Sequence, residues 1–229
     1  YLILDQKSAF ESSIYLSAEH KLTDKLSAEY GLRWSYFNRL GGQTMANYVN
    51  NQPVVYNEKL GVYETGEISS ETDYGKSENI ATFNNFEPRL ALAYELNESS
   101  SVKAGFSRTA QYIHLLSNTT NVTPLDVWTP SGKYIKPQLS NQYAVGFFKN
   151  FNDNAYETSI EVYYKSMNNQ IEYREGYTPS IKDPEEEFVF GNGWSYGAEF
   201  FFNKTKGRFT GWIGYTLAWS WRKFPELNK

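Results

Sequence analysis

The 229-residue chain has no cysteine. A disulfide scaffold, a thiolate zinc site and a cysteine nucleophile are therefore excluded. Histidine is almost as scarce, with His20 and His114 the two in the chain. A three-histidine zinc site is impossible, and any His-assisted nucleophile would have to use one of these two. Positive charge is also in short supply: 22 Lys and Arg against 26 Asp and Glu leave a net charge of −4. With no basic stripe, this argues against a nucleic-acid partner. Long hydrophobic runs are missing too, so no helix can cross a bilayer in the usual way. The mean hydropathy of −0.60 would suit a soluble protein, but membrane-spanning strands hide their apolar side chains at every second residue.

What the chain has in quantity is aromatic side chains, 17% of residues, from Tyr 19, Phe 15 and Trp 6. Tyr and Trp pair a hydrophobic body with a polar tip and suit the boundary between an apolar medium and water. Eight segments alternate apolar and polar with the period of a strand. They are Ser12 to Leu22, Leu26 to Phe37, Phe86 to Leu96, Ser101 to Arg108, Leu139 to Phe151, Ala155 to Lys165, Trp194 to Lys204 and Arg208 to Arg222. Most reach the roughly 9–11 residues that a tilted strand needs to span a membrane, well beyond the mean of about 5–6 in soluble sheets.

The alternation separates two faces. In the second segment Leu26, Ala28, Tyr30, Leu32, Trp34 and Tyr36 fall on one side, and Ser27, Glu29, Gly31, Arg33 and Ser35 on the other. The sixth segment sets Tyr156, Thr158, Ile160, Val162 and Tyr164 against Glu157, Ser159, Glu161, Tyr163 and Lys165. The connections alternate as well. Thr23 to Lys25, Asn97 to Ser100, Asn152 to Asn154 and Thr205 to Gly207 are tight turns of three or four residues, rich in Asn, Asp, Ser and Gly. Between the hairpins lie Asn38 to Asn85, Thr109 to Gln138 and Ser166 to Gly193, of 48, 30 and 28 residues. Bare loops of that length are uncommon in compact soluble domains. Short turns alternating with long outward loops are what an outer-membrane barrel produces.

The expected fold is all-β: an antiparallel up-and-down transmembrane β-barrel, with about eight strands of a larger barrel in four hairpins. Because the sequence opens at Tyr1 with neither initiator Met nor signal peptide, residues 1–229 are expected to be part of a barrel domain. Two rivals share the periodicity. One is a complete small eight-stranded outer-membrane barrel, an adhesin or structural protein. The other is a soluble sugar-binding sandwich, which would pack Leu32, Ile160 and Tyr215 into a dry interior between two sheets. An outer-membrane lipase-type enzyme is weaker, since no Ser-His partnership is evident.

An ordered series of loose motifs adds a resemblance. Phe86-Glu87-Pro88-Arg89-Leu90, then Lys103-Ala104-Gly105-Phe106-Ser107-Arg108, then Gln111 to Thr119 come first. Lys136-Pro137-Gln138 leading into Gln142-Tyr143-Ala144-Val145-Gly146, Glu161-Val162-Tyr163-Tyr164-Lys165, Ser195 to Phe200 and Gly211 to Leu217 follow. Together they resemble the barrel of TonB-dependent outer-membrane receptors over nearly the whole chain. The resemblance implies a Gram-negative outer-membrane barrel of about 22 strands with a plugged lumen. It implies active import of a small-molecule nutrient such as an iron chelate, cobalamin or glycan, and no catalysis. It also implies as partners the lipid bilayer, a plug domain of the same full-length chain and an inner-membrane TonB complex. Neither plug nor TonB box is found in this sequence.

Candidate sites follow from loop position and residue type. Arg108, Tyr112, His114 and Trp128 lie in or beside the 30-residue connection and are the candidate ligand-binding residues: aromatics can stack on sugar or chelate rings, and His114 could reach a metal. The bland reading is loop packing and an aromatic girdle. Asp183, Glu185, Glu186 and Glu187 cluster carboxylates of a kind calcium could use, but without EF-hand spacing, and a solvated loop is simpler. Glu29, Glu157, Glu161 and Glu199 invite comparison with glycosidase acids. Spread over one polar face, they read more simply as partners of Arg33, Arg89, Lys103 and Lys165. No cofactor or metal site is expected. The acceptor patterns at Asn97, Asn118, Asn121 and Asn203 carry no weight in a bacterial outer-membrane protein. Gly105, Gly146 and Gly214 form no phosphate loop.

Overall fold

The computed structural model describes residues 6–116, 127–175 and 184–227. Along the chain run β1 (Ser8–Lys21), β2 (Leu26–Leu40), β3 (Gln43–Tyr48), β4 (Val54–Asn57), β5 (Val62–Thr65), β6 (Ile68–Tyr74) and β7 (Asn79–Asn97). Then come β8 (Ser100–Gln111), β9 (Ile113–Leu116), β10 (Val127–Pro130), β11 (Gln138–Phe151), β12 (Tyr156–Tyr173), β13 (Phe188–Lys204) and β14 (Gly211–Lys223). One antiparallel sheet holds eight of them in chain order, β1-β2-β7-β8-β11-β12-β13-β14. These are the eight segments that the alternation picks out. β1 and β14 are its two edges.

The strands outrun the spans read from the sequence at their outward ends, where β7 reaches 19 residues, β12 18 and β13 17. The long connections are not bare loops. Between β2 and β7 the chain folds into two small antiparallel ribbons, β3–β6 and, within that excursion, β4–β5; between β8 and β11 it forms β9–β10.

Local chemistry sets the opposite ends. At the first turn the Thr23 hydroxyl accepts from the Lys25 and Leu26 amides, at 3.3 and 3.0 Å. At the second, the Asn97 side-chain carbonyl accepts from the Ser99 amide at 3.0 Å. Asn152, Asp153 and Asn154 all take positive φ, 49°, 50° and 62°, a region that short polar side chains tolerate best among non-glycines.

Register carries each face across the wall. Ala18, Tyr30, Leu90, Phe106, Tyr143, Tyr164, Tyr196 and Trp219 form one continuous row from β1 to β14. The next row toward the short turns is largely aliphatic, with Leu92, Ala104, Val145, Val162, Ala198 and Leu217. A further step brings Tyr94, Phe147, Phe200 and Tyr215. A continuous apolar face rich in aromatics is the lipid-facing pattern of a membrane barrel. No second sheet covers this face among the described residues, and Leu32, Ile160 and Tyr215 are 48%, 48% and 59% exposed. The sandwich reading, which required them buried, does not hold. The buried apolar clusters lie instead among the outward connections, Met45 with Tyr48 and Tyr134, and Ile135 with Phe188.

Two irregularities shape the outward end. Pro88 sits in β7, a central strand, opposite Leu32. Proline has no N–H to give a ladder, and β7–β8 pairing runs from Asn97–Ser100 only as far as Arg89–Ser107, stopping at this residue. In β12 the register slips between Met167 and Gln170, with Asn169 at φ 57° and its amide donating to the Pro137 carbonyl at 2.8 Å. The bulge resets the alternation. Met167 faces Gly193 and Gln170 faces Gly191, so Gln170 and Glu172 turn to the polar face, although unbroken alternation would put them with Tyr164 on the apolar one.

Candidate ligand-binding site

Where β7 and β8 part beyond Pro88, a polar knot fills the gap on the lumen face. Glu87 is buried in it. One of its oxygens accepts from the Ser35 hydroxyl at 2.9 Å; the other lies 3.4 Å from the Ala110 amide, which the broken ladder leaves without a strand partner. Arg33 lies 3.7 Å from Glu87 and 3.6 Å from Glu11. Tyr112 turns in from the end of β8. Its hydroxyl sits 2.7 Å from that of Ser35 and accepts from the Asn85 amide at 2.8 Å. Its ring stacks on Phe37, with centroids 4.8 Å apart and planes within 1°. A carboxylate accepting from an amide that the interrupted β7–β8 ladder leaves over is the physical sense of the Phe86-Glu87-Pro88-Arg89 run.

The four candidate ligand residues do not converge. Tyr112 belongs to the knot and is buried. His114, 2% exposed, stands opposite Thr129 in the β9–β10 ribbon. Its Nε2 is 2.9 Å from the Ser131 hydroxyl, while Nδ1 has no partner. Burial pushes its pKa down to about 4, so the ring is neutral at physiological pH. Trp128, opposite Leu115, is 64% exposed. Arg108 shares the row of Asn141, Ser166, Trp194 and Trp221 on the apolar face, its Nε enclosed without a hydrogen-bond partner. Three of the four thus lie on the lumen side or in the outer ribbon, and Arg108 lies across the wall from them. Among the described residues no group of three or more His, Asp or Glu could hold a metal ion.

The acidic run proves to be stitching. Glu185 pairs with Lys7 at 3.7 Å. Glu186 accepts from the Tyr48 hydroxyl at 2.5 Å and the Thr65 hydroxyl at 3.4 Å. Glu187 pairs with Arg174 at 2.9 Å. Arg174 also donates to the Tyr63 and Glu186 carbonyls at 2.8 and 3.2 Å. The Tyr134 hydroxyl donates to the Ala46 carbonyl at 3.0 Å, and Lys133 bonds Asn47. All three outward connections are thereby tied together. Asp183 and the acceptor patterns at Asn118 and Asn121 lie outside the described residues.

The expected lumen-wall ion pairs are corrected. Among the described residues Glu29, Glu157, Glu161 and Glu199 form none, because register sets Glu29 against Glu19 and Glu161 against Glu199. Glu157 accepts from the Asn203 amide at 2.9 Å, and Lys103 stands over the Phe148 ring at 4.8 Å. Sequence reasoning missed Ser35, Glu87 and Arg174 as structural hubs. The one signal available for Ser35 and Glu87 was Pro88, a proline inside an otherwise regular strand.

One continuous meander, greasy on one face and charged on the other, with tight turns at one end and tied ribbons at the other, defines the wall of a transmembrane β-barrel. The sequence matches the family described as TonB dependent receptor-like, beta-barrel over residues 4–227. The chain belongs to that family, one of receptors and transporters. No curated protein matches the sequence. Among solved structures it is similar to the FrpB iron transporter from Neisseria meningitidis (F3-3 variant), at 11% identity and a TM-score of 0.61, over 99% of this chain and 28% of that one. It is similar to the alcaligin outer-membrane receptor FauA from Bordetella pertussis at 15% identity and 0.54, over 93% and 30%. For the ferric-catecholate import receptor Fiu from K12 E. coli the values are 15% and 0.52, over 94% and 28%. The chain spans less than a third of the length of these structures, and at such identities the likeness is one of fold.

Proposed function

We propose that residues 1–229 form part of the wall of a larger outer-membrane barrel in a Gram-negative bacterium, within a TonB-dependent transporter that imports a small nutrient. The observation that carries this is the continuous lipid-compatible face backed by a charged one, in a chain of this receptor family. In the reading, the apolar rows meet acyl chains and the polar face lines a lumen that a plug domain of the same protein fills. The tied ribbons present the nutrient-binding surface, with exposed Trp128 as a stacking residue and His114 and Tyr112 supporting it from beneath. Energy comes from an inner-membrane TonB complex pulling on the plug. The two edge strands then pair with further strands of the same barrel, which separates this reading from a closed eight-stranded one. The named structural neighbours, iron transporter and siderophore receptors among them, support nutrient import as a class.

The test is growth of a deletion strain on a panel of iron and carbon sources, beside a strain lacking TonB. A growth or uptake defect on one source, shared by both strains, is expected. Normal growth on every source, with uptake independent of TonB, would refute the reading.

A further inference from the structure

We propose that a cavity at the outward end of the lumen face binds one ring of a neutral, hydroxyl-rich ligand of the saccharide type, and that it sets the class of nutrient imported. This rests on the importer reading above. The cavity, of about 230 Å³, is lined by Gln111, His114, Gln138, Gln170, Glu172 and Arg222. At about 30 Å³ per water it holds the volume of roughly seven or eight waters, enough for a single sugar ring.

The wall is built for this lining. Gln111 and Gln138 stand directly opposite each other on β8 and β11. The β12 bulge swings Gln170 and Glu172 onto the same face, and Glu172 lies 3.7 Å from Arg222 of β14. Three amides from three strands therefore converge.

The chemistry selects among ligands. Each glutamine amide offers two donors and one acceptor, as a hydroxyl both donates and accepts. Gln111 spends one donor on the Ile113 carbonyl at 2.8 Å; the side-chain amides of Gln138 and Gln170 form no hydrogen bond among the described residues. An anionic iron chelate would call for unmatched cations, but the guanidinium in the lining is matched by Glu172. A metal ion would call for a cluster of anionic or imidazole ligands, which the described residues lack. Leu115 and Tyr173 supply apolar surface for the C–H face of a sugar, and Trp128 stands across the ribbon from Leu115.

The test uses the full-length receptor carrying this barrel, purified in detergent. The probes are an array of neutral oligosaccharides and, in solution, a ferric catecholate, a ferric hydroxamate and cobalamin. Retention of a neutral oligosaccharide is expected, with Gln138→Leu and Gln170→Leu each weakening it by about tenfold, the worth of one hydrogen bond. Heat-modifiable migration on gels checks that each variant is folded. Should a leucine variant misfold, Gln138→Asn and Gln170→Asn, which shorten the reach but keep the amide, are expected to weaken binding by a smaller factor. Failure to retain any oligosaccharide, binding of a ferric chelate or cobalamin instead, or indifference of oligosaccharide binding to all these substitutions overturns the proposal. TonB-dependent uptake of a chelate would overturn the saccharide assignment and leave the importer reading standing. Loss of TonB-dependent uptake altogether would remove the importer reading itself.

Discussion

Placing an arginine at Leu32 puts the orientation of the wall at risk. Leu32 lies in β2 between Leu16 and Pro88 of the neighbouring strands, and its side chain is uncovered on the apolar face. Leu26 and Asn38, toward the two ends of β2, are each six residues away. At about 3.4 Å per residue and a tilt of about 40°, one residue climbs roughly 2.5 Å through the bilayer. Leu32 therefore stands about 15 Å from either boundary, near the midplane of an apolar band about 25–30 Å thick. A lipid-facing arginine at that depth costs about 2–4 kcal/mol, a shift of roughly thirty- to several-hundred-fold in the folding equilibrium. Ser35, on the opposite face of the same strand, is an unsuitable control because it is buried against Glu87 and Tyr112. Ala91 is better. It lies opposite Glu29 and Gly105 on the lumen face, where a new guanidinium meets water and a carboxylate, and Ala91→Arg should cost less than about 1 kcal/mol. The assay is urea unfolding of the receptor in lipid vesicles, followed by tryptophan fluorescence. Equal shifts for Leu32→Arg and Ala91→Arg, or a larger one at Ala91, would refute the face assignment.

Tyr112→Phe removes the hydroxyl shared by Ser35 and Asn85 and should lower stability by about 1–2 kcal/mol, read as a lower thermal midpoint; an unchanged midpoint would mean that the knot beyond Pro88 contributes nothing. Arg174→Ala leaves the Glu187 carboxylate buried without its ion-pair partner and cuts the ties to Tyr63 and Glu186. Breaking a buried pair costs about 3–5 kcal/mol, so limited proteolysis within residues 41–78 should speed up while the melting of the wall barely moves. His114 titrates near 4 when folded and near its ordinary 6.5 when unfolded. Between those values the unfolded ribbon binds the extra proton, so local stability falls as pH drops from about 6.5 to 4, by up to roughly 3 kcal/mol. Hydrogen exchange in β9–β10 should show that slope, and His114→Gln should flatten it.

The eight strands, their faces and their turns are legible in the sequence because each is a local property. A period of two assigns every side chain in an unbroken strand, and Thr23, Asn97 and the Asn152–Asn154 run shape their turns within three residues of themselves. The aromatic-rich apolar face follows from the same counting. The long connections were legible only as polar excursions, since short ribbons such as β4–β5 have too few residues to show a period.

What the tertiary structure decided is who meets whom. Glu87 and Ser35 come from two strands and Tyr112 from the link that follows a third, and nothing near any one of them in the chain announces the other two. Arg174 and the acidic run find Tyr63 and Tyr48 from more than a hundred positions away. Pro88 ends a ladder only because β8 lies beside it, and the bulge at Asn169 reverses the parity by which Gln170 and Glu172 would have been placed. Alternation fixes a side chain relative to its own strand, and that much is written locally. Register, bulges and strand order fix it relative to its neighbours, and those are settled only when the whole sheet is hydrogen-bonded together.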